Sequence, residues 1–153
     1  MNEKLEQSRK IVKDYMWWAM GAGLLPIPIV DIATVTGVQL KMLSKLAKNY
    51  DIPFAKERGK SIITSLVSTL SASTISKGMI SSAIKVVPIV GPLTVPFIMP
   101  VVAAAVTYSI GIVFIQHFES GGTFLDFNPE KTSDFFKSQF EERLNESGKE
   151  GIF

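Results

Sequence analysis

The chain contains no cysteine. Disulfides, a thiol nucleophile and thiolate-held metals are therefore excluded, and the redox compartment is left open. Histidine occurs once, as His117. A histidine-rich metal site is thus excluded, and no distinguished serine lies near His117 to suggest a Ser-His-Asp set. No Gly-rich loop ends in Gly-Lys-Ser or Gly-Lys-Thr at the spacing of a nucleotide phosphate cradle. Gly59-Lys60-Ser61 has the last three letters but not the upstream glycine, the preceding strand or an acid for magnesium. Arginine is scarce, at positions 9, 58 and 143 only. A nucleic-acid face needs a denser basic surface with aromatic or Arg-rich contacts, so nucleic acid is not a predicted partner. These absences predict a protein that is not an enzyme and holds no cofactor or metal.

Charge is also missing, over one long run. Val86 to Gln116 carries no Asp, Glu, Lys or Arg. Pro88, Pro92, Pro96 and Pro100 recur four apart within it. A helix through all four would lose hydrogen bonds and clash repeatedly. The reading is a bent approach over 86–96, then a regular helix from near Pro96 or Pro100 to about Phe118. That length nearly crosses a hydrocarbon core of roughly 30 Å. Ala103, Thr107 and Gly111 give it a small-residue ridge, on which another helix can pack closely in lipid or in a protein core.

What is present is helical periodicity. At 153 residues the chain is predicted to be one domain over 1–147, with a frayed tail over 148–153. The predicted fold is all-α: a compact bundle of four to six helices, two of them long, apolar and proline-initiated. Residues 4–20 place Leu5, Ser8, Val12, Met16 and Ala19 on one side, with Ile11 and Tyr15 at its edge. Trp17 projects to the polar side, as at a membrane interface, whereas Trp18 is expected to pack on neighbouring helices. Pro26 and Pro28 end that helix, and a second runs from Pro28 to Asn49 or Tyr50. Asp31 falls in its first turn, where free amides stabilise a carboxylate. Should this helix cross lipid, Asp31 becomes instead a candidate for an ion or solute path, with Thr34, Thr36, Gln39, Thr107 and Tyr108 as partners. Ala33 and Gly37 form a ridge expected to meet that of Ala103, Thr107 and Gly111. Leu40, Leu43, Leu46, Ala47 and Tyr50 share one face, and Lys41, Lys45 and Lys48 the opposite one. Those lysines suit a membrane surface, a protein partner or plain solvent.

Residues 54–84 are rich in serine and threonine and are read as helix, broken near Ser73 or Lys77-Gly78, with a short helix on to Lys85. Glu119-Ser120-Gly121-Gly122 ends the long apolar helix, and one of the glycines takes the left-handed cap position. His117 snorkels or caps rather than binding metal. Asn128-Pro129-Glu130 starts a last helix. Phe136, Phe140 and Leu144 stripe it, while Glu141, Glu142, Arg143 and Glu146 are expected to face water. Residues 41–60 carry six basic against two acidic side chains, and 117–153 eight acidic against four basic. The proline-broken stretch Leu24–Val30 echoes Val86–Pro92.

The pattern Pro26-Ile-Pro-Ile-Val-Asp31, with Gln39, Met42, Ala47 and Tyr50 after it, has a familiar counterpart. So has Val87-Pro88-x-x-Gly91 followed by an alanine-rich helix with Thr107 and Gly111. Over roughly residues 10–120 the chain resembles the bacterial family known as domain of unknown function 697. Pro26, Pro28, Asp31, Gln39, Tyr50, Pro88 and Gly91 are the matching positions. That family's domain is sometimes attached to an Era-like GTPase and sometimes found in inner-membrane proteins. The resemblance implies membrane association beside a GTPase partner; as this chain has no G domain, that link either acts in trans or is absent. It brings no catalytic residues. The leading expectation is a membrane-associated scaffold or partner-binding domain at a bacterial inner membrane or its cytoplasmic face. It contacts the bilayer through 16–38 and 95–118, with the basic 41–60 stretch on the cytoplasmic side. The alternative is a cytoplasmic, soluble all-α interaction module whose apolar helices are its core.

Overall fold

A computed structural model describes residues 3–22, 28–70 and 95–150, except for the side chains of 22, 28–33, 95–99 and 147–150. Five helices make up the described chain: α1 (Glu3–Ala22), α2 (Pro28–Asn49), α3 (Lys56–Ser68), α4 (Val95–Glu119) and α5 (Pro129–Glu150). This is the all-α bundle the periodicity predicts. α2 starts at Pro28, which supplies a preset helical φ where no amide bond is lost. α4 starts one residue before Pro96. Pro100 is therefore carried inside the helix, buried, where it forgoes one backbone bond.

α4 is the hub. It packs against each of the other four helices, most extensively against α1. Val101, Ala104, Ala105, Thr107, Ile110, Val113 and Phe114 are buried on all sides of it, as expected of a helix without a polar face. α1 contributes Ser8, Val12, Met16 and Ala19, the stripe read from its sequence. α2 contributes Gln39, Met42, Leu43, Leu46 and Ala47; α5 contributes Phe136, Phe140 and Leu144. Each large apolar side chain buried in this way is worth roughly 1.5–3 kcal/mol.

Side-chain contacts fix the directions. Asn49 meets Lys4 and Ser8, and the Lys45 ammonium lies 6.0 Å from the Tyr15 ring, so α1 and α2 are antiparallel. Gln39 meets Thr107 and Tyr50 meets Glu119, so α2 and α4 run parallel. Arg143 lies over the Tyr108 ring at 4.6 Å, and Phe127, just before α5, stacks on Phe114 at 4.6 Å. α5 therefore returns antiparallel to α4.

Several expectations need correcting. The ridge on α4 does not meet Gly37: Gly37 is exposed with nothing near it, and Gly111 receives Val12 of α1 instead. α1 takes that groove because its β-branched valine fills the hole a glycine leaves. Arg143 does not face water; its guanidinium lies over the Tyr108 ring, leaving the side chain 16% exposed. α3 ends at Ser68, earlier than read, because Thr69 and Ser68 turn their hydroxyls onto the carbonyls of Leu66 and Ser65. The expected break near Ser73, the helix to Lys85 and the proline echo lie outside the described residues.

Candidate functional site

The antiparallel and parallel pairings gather unlike ends. One pole of the bundle is built from the C-terminal turns of α1, the first halves of α2 and α4, and the C-terminal half of α5 with Glu141, Glu142, Arg143 and Glu146. From Tyr15 to Leu40 the only charge is Asp31, and α4 has none before His117. The opposite pole holds Lys4, Asp51, Glu119, His117 and Asp126. At the first pole the α1, α2 and α4 side is therefore nearly uncharged, and the charge is gathered on α5.

On this weakly charged side Trp17 is 49% and Trp18 70% exposed. The packing expected of Trp18 is absent: the α1 stripe passes through Met16 and Ala19, and Trp18 lies outside it. Gln39 is buried there and donates from Nε2 to Thr107 Oγ1 at 3.0 Å. This bond satisfies two groups in an otherwise apolar layer and sets the register of α2 on α4. Lys41, Lys45 and Lys48 are exposed along α2, as the pattern predicts.

At the opposite pole, Tyr50 donates to Glu119 Oε2 at 2.5 Å. Asn49 Nδ2 donates to Ser8 Oγ at 2.7 Å and to the Lys4 carbonyl at 2.9 Å. Together they tie α1, α2 and α4. Burial, reinforced by the Glu119 carboxylate, pushes the Tyr50 phenol up to about 12. Tyr50 thus stays protonated and donates, which suits a tie and not an acid-base role. Beside it, His117 Nε2 lies 2.8 Å from the Thr123 carbonyl and 3.0 Å from Asp126 Oδ1. His117 caps the α4–α5 corner, as expected. The Thr123 amide, 2.7 Å from Asp126, is the main influence holding that carboxyl below its usual range, with His117 adding to it. Sequence reasoning named Tyr50 and His117 but missed Ser8, Asn49, Glu119 and Asp126 as their partners. A lone serine inside the apolar stripe of α1 was the available signal.

A groove of about 780 Å³ lies between α3 and the α4–α5 corner. Much of its polar lining is engaged within the protein. Arg58 donates to the carbonyls of Phe124 and Phe127, Asn128 Oδ1 accepts from the Glu130 and Lys131 amides, and Ser68 bonds Ser65. Gly59-Lys60-Ser61 lies inside α3, where the Gly59 amide bonds the Ala55 carbonyl. Among the described residues no group of three or more His, Asp or Glu could hold a metal ion.

Of the remaining sequence candidates, Ala103 and Thr107 are buried in α4 and Gly111 touches α1. Pro26, Pro88 and Gly91 lie outside the described residues, as do the side chains of Pro28, Asp31 and Ala33. One described helix, Pro100–Glu119, is long and apolar enough to cross a membrane, and 72% of its apolar window is buried inside the protein. Over 100–119 most of the surface expected to meet lipid is covered by α1, α2 and α5.

Comparison with known proteins agrees with the resemblance noted in the sequence. The chain is 34% identical over 134 residues to magnetosome membrane protein 22 of Magnetospirillum gryphiswaldense, covering 88% of this chain and 69% of that protein. No solved structure matches the chain. The model of the family described as domain of unknown function (DUF697) matches residues 1–145, and with the magnetosome relative it establishes that the chain belongs to the DUF697 family.

Proposed function

We propose that this protein is a non-enzymatic, membrane-associated helical module that docks through the weakly charged α1–α2–α4 side of the pole that bears Trp17 and Trp18. The observation that carries this is the exposed Trp17-Trp18 pair, set where α1 runs out of charge. Indole is apolar with a single donor, and it gains most at the boundary between headgroups and hydrocarbon. The membrane-protein name of the magnetosome relative supports the same reading. The charged remainder, away from the bilayer at the cytoplasmic face, is the surface for a protein partner, which makes the module a scaffold. A GTPase in trans is the partner class the family resemblance implies.

These two are the chain's only tryptophans, so intrinsic fluorescence reports the pole directly. Adding lipid vesicles to the purified chain is expected to shift the emission to shorter wavelength. Trp17→Ala/Trp18→Ala should lower vesicle co-sedimentation. Unchanged emission and no co-sedimentation with vesicles of any composition would refute docking.

A further inference from the structure

We infer that the docking surface selects anionic lipid headgroups and meets them obliquely, with the α1–α2 flank down and the α5 flank turned away. This rests on the pole reading above and adds lipid class and orientation to it. The antiparallel pairing of Asn49 with Ser8 and of Lys45 with Tyr15 carries α2 past α1 in step. Continuing that step by one turn sets Lys41 level with the Trp17-Trp18 pair. Lys41, Lys45 and Lys48 are all exposed. By helix rise, Lys45 stands roughly 6 Å and Lys48 roughly 10 Å farther from the pole than Lys41. The first two fall within a Debye length, about 8 Å at physiological salt, of headgroups touched by the indoles.

α1 adds to this on its own surface. Lys13 precedes Trp17 by one helical turn and is exposed, as is Lys10 beyond it. Asp14, one turn before Trp18, and Asp31, in the first turn of α2, are the carboxylates of this flank nearest the pole, and the five lysines outnumber them. Asp51 is at the far pole, 3.4 Å from Lys4.

The other flank has the opposite character. α5 packs on α3 and α4 and does not touch α1. Glu141, Glu142 and Glu146 are exposed on it, with Arg143 folded inward beside Glu146. An anionic surface attracts the α1–α2 flank and repels this one. Together they define a tilt and not merely an affinity.

The test is co-sedimentation of the full chain with vesicles of phosphatidylcholine alone, or of phosphatidylcholine with phosphatidylglycerol. Binding should be several-fold greater on the anionic vesicles and should fall with added salt. Lys41→Gln/Lys45→Gln removes two near-surface charges and should weaken anionic binding roughly tenfold or more, leaving binding to phosphatidylcholine unchanged. Lys131→Gln/Lys137→Gln on α5 makes the same change in net charge and should leave anionic binding within about twofold, since charges beyond a Debye length are screened. All four lysines lie outside the buried core, and circular dichroism checks that each variant is folded. Equal binding to both vesicles, or equal loss from the α5 variant, would overturn this inference and leave the tryptophan docking intact. No binding to either vesicle would overturn both.

Discussion

Gly111 shows how much one missing side chain decides. A Cβ there would lie 2.5 Å from one methyl of Val12 and 2.7 Å from the other. The closest approach of α1 to the central helix therefore depends on hydrogen at that position. In an isolated helix, Gly→Ala is stabilising by roughly 1 kcal/mol. Here the overpacking cost, about 1–3 kcal/mol, opposes and exceeds it. Gly111→Ala is expected to lower the urea unfolding free energy by about 1–2 kcal/mol. In the Val12→Ala background the same change should cost less or become favourable, a non-additivity that a double-mutant cycle measures. Destabilisation unchanged by Val12→Ala would place the contact elsewhere.

Helix ends carry the next level of information. α2 and α4 finish with the same pair of capping bonds. Ile52 and Asp51 donate to the carbonyls of Ala47 and Lys48, as Gly122 and Gly121 do to those of His117 and Phe118. The residue at the left-handed position differs: Gly121 has φ of 88° and Asp51 φ of 57°. Glycine adopts that backbone without a Cβ clash, and an aspartate does so at some cost. The exposed Lys4–Asp51 pair is too solvated to compensate much. Asp51→Gly is therefore expected to raise the unfolding free energy by roughly 0.5–1 kcal/mol, seen as a higher thermal midpoint. A lower midpoint would show that the pairing with Lys4 outweighs the strain. The glycine cap was legible in Gly121-Gly122, whereas nothing in Asn49-Tyr50-Asp51 marks Asp51 as its equivalent.

For the whole molecule the decisive contrast is between docking and spanning. An uncharged helix of this length suits either a bilayer or the centre of a bundle. Most of its described surface is covered by α1, α2 and α5. A body sheathed in this way reaches lipid by its pole, so its tryptophans should rest at headgroup depth. Quenchers placed shallow in the acyl chains are expected to reduce Trp17 and Trp18 emission more than quenchers placed near the bilayer centre. Stronger quenching from the centre would favour instead a hairpin that crosses the membrane through 16–38 and 95–118.

The sequence alone determined the helices, their faces and several of their ends. Apolar spacing marked the stripes of α1 and α5, Pro28 began α2, and Asn128-Pro129 began α5. These are local matters, settled by propensity, periodicity and capping within a few residues. Tertiary structure decided which face met which: Gly111 against Val12 and not Gly37, Arg143 over Tyr108 and not in water, Trp18 outside the core. Such choices depend on shape complementarity between segments far apart in the chain, and no local pattern encodes it. The same physics separates the two poles, because charge spacing is written along the chain while helix direction appears only on packing.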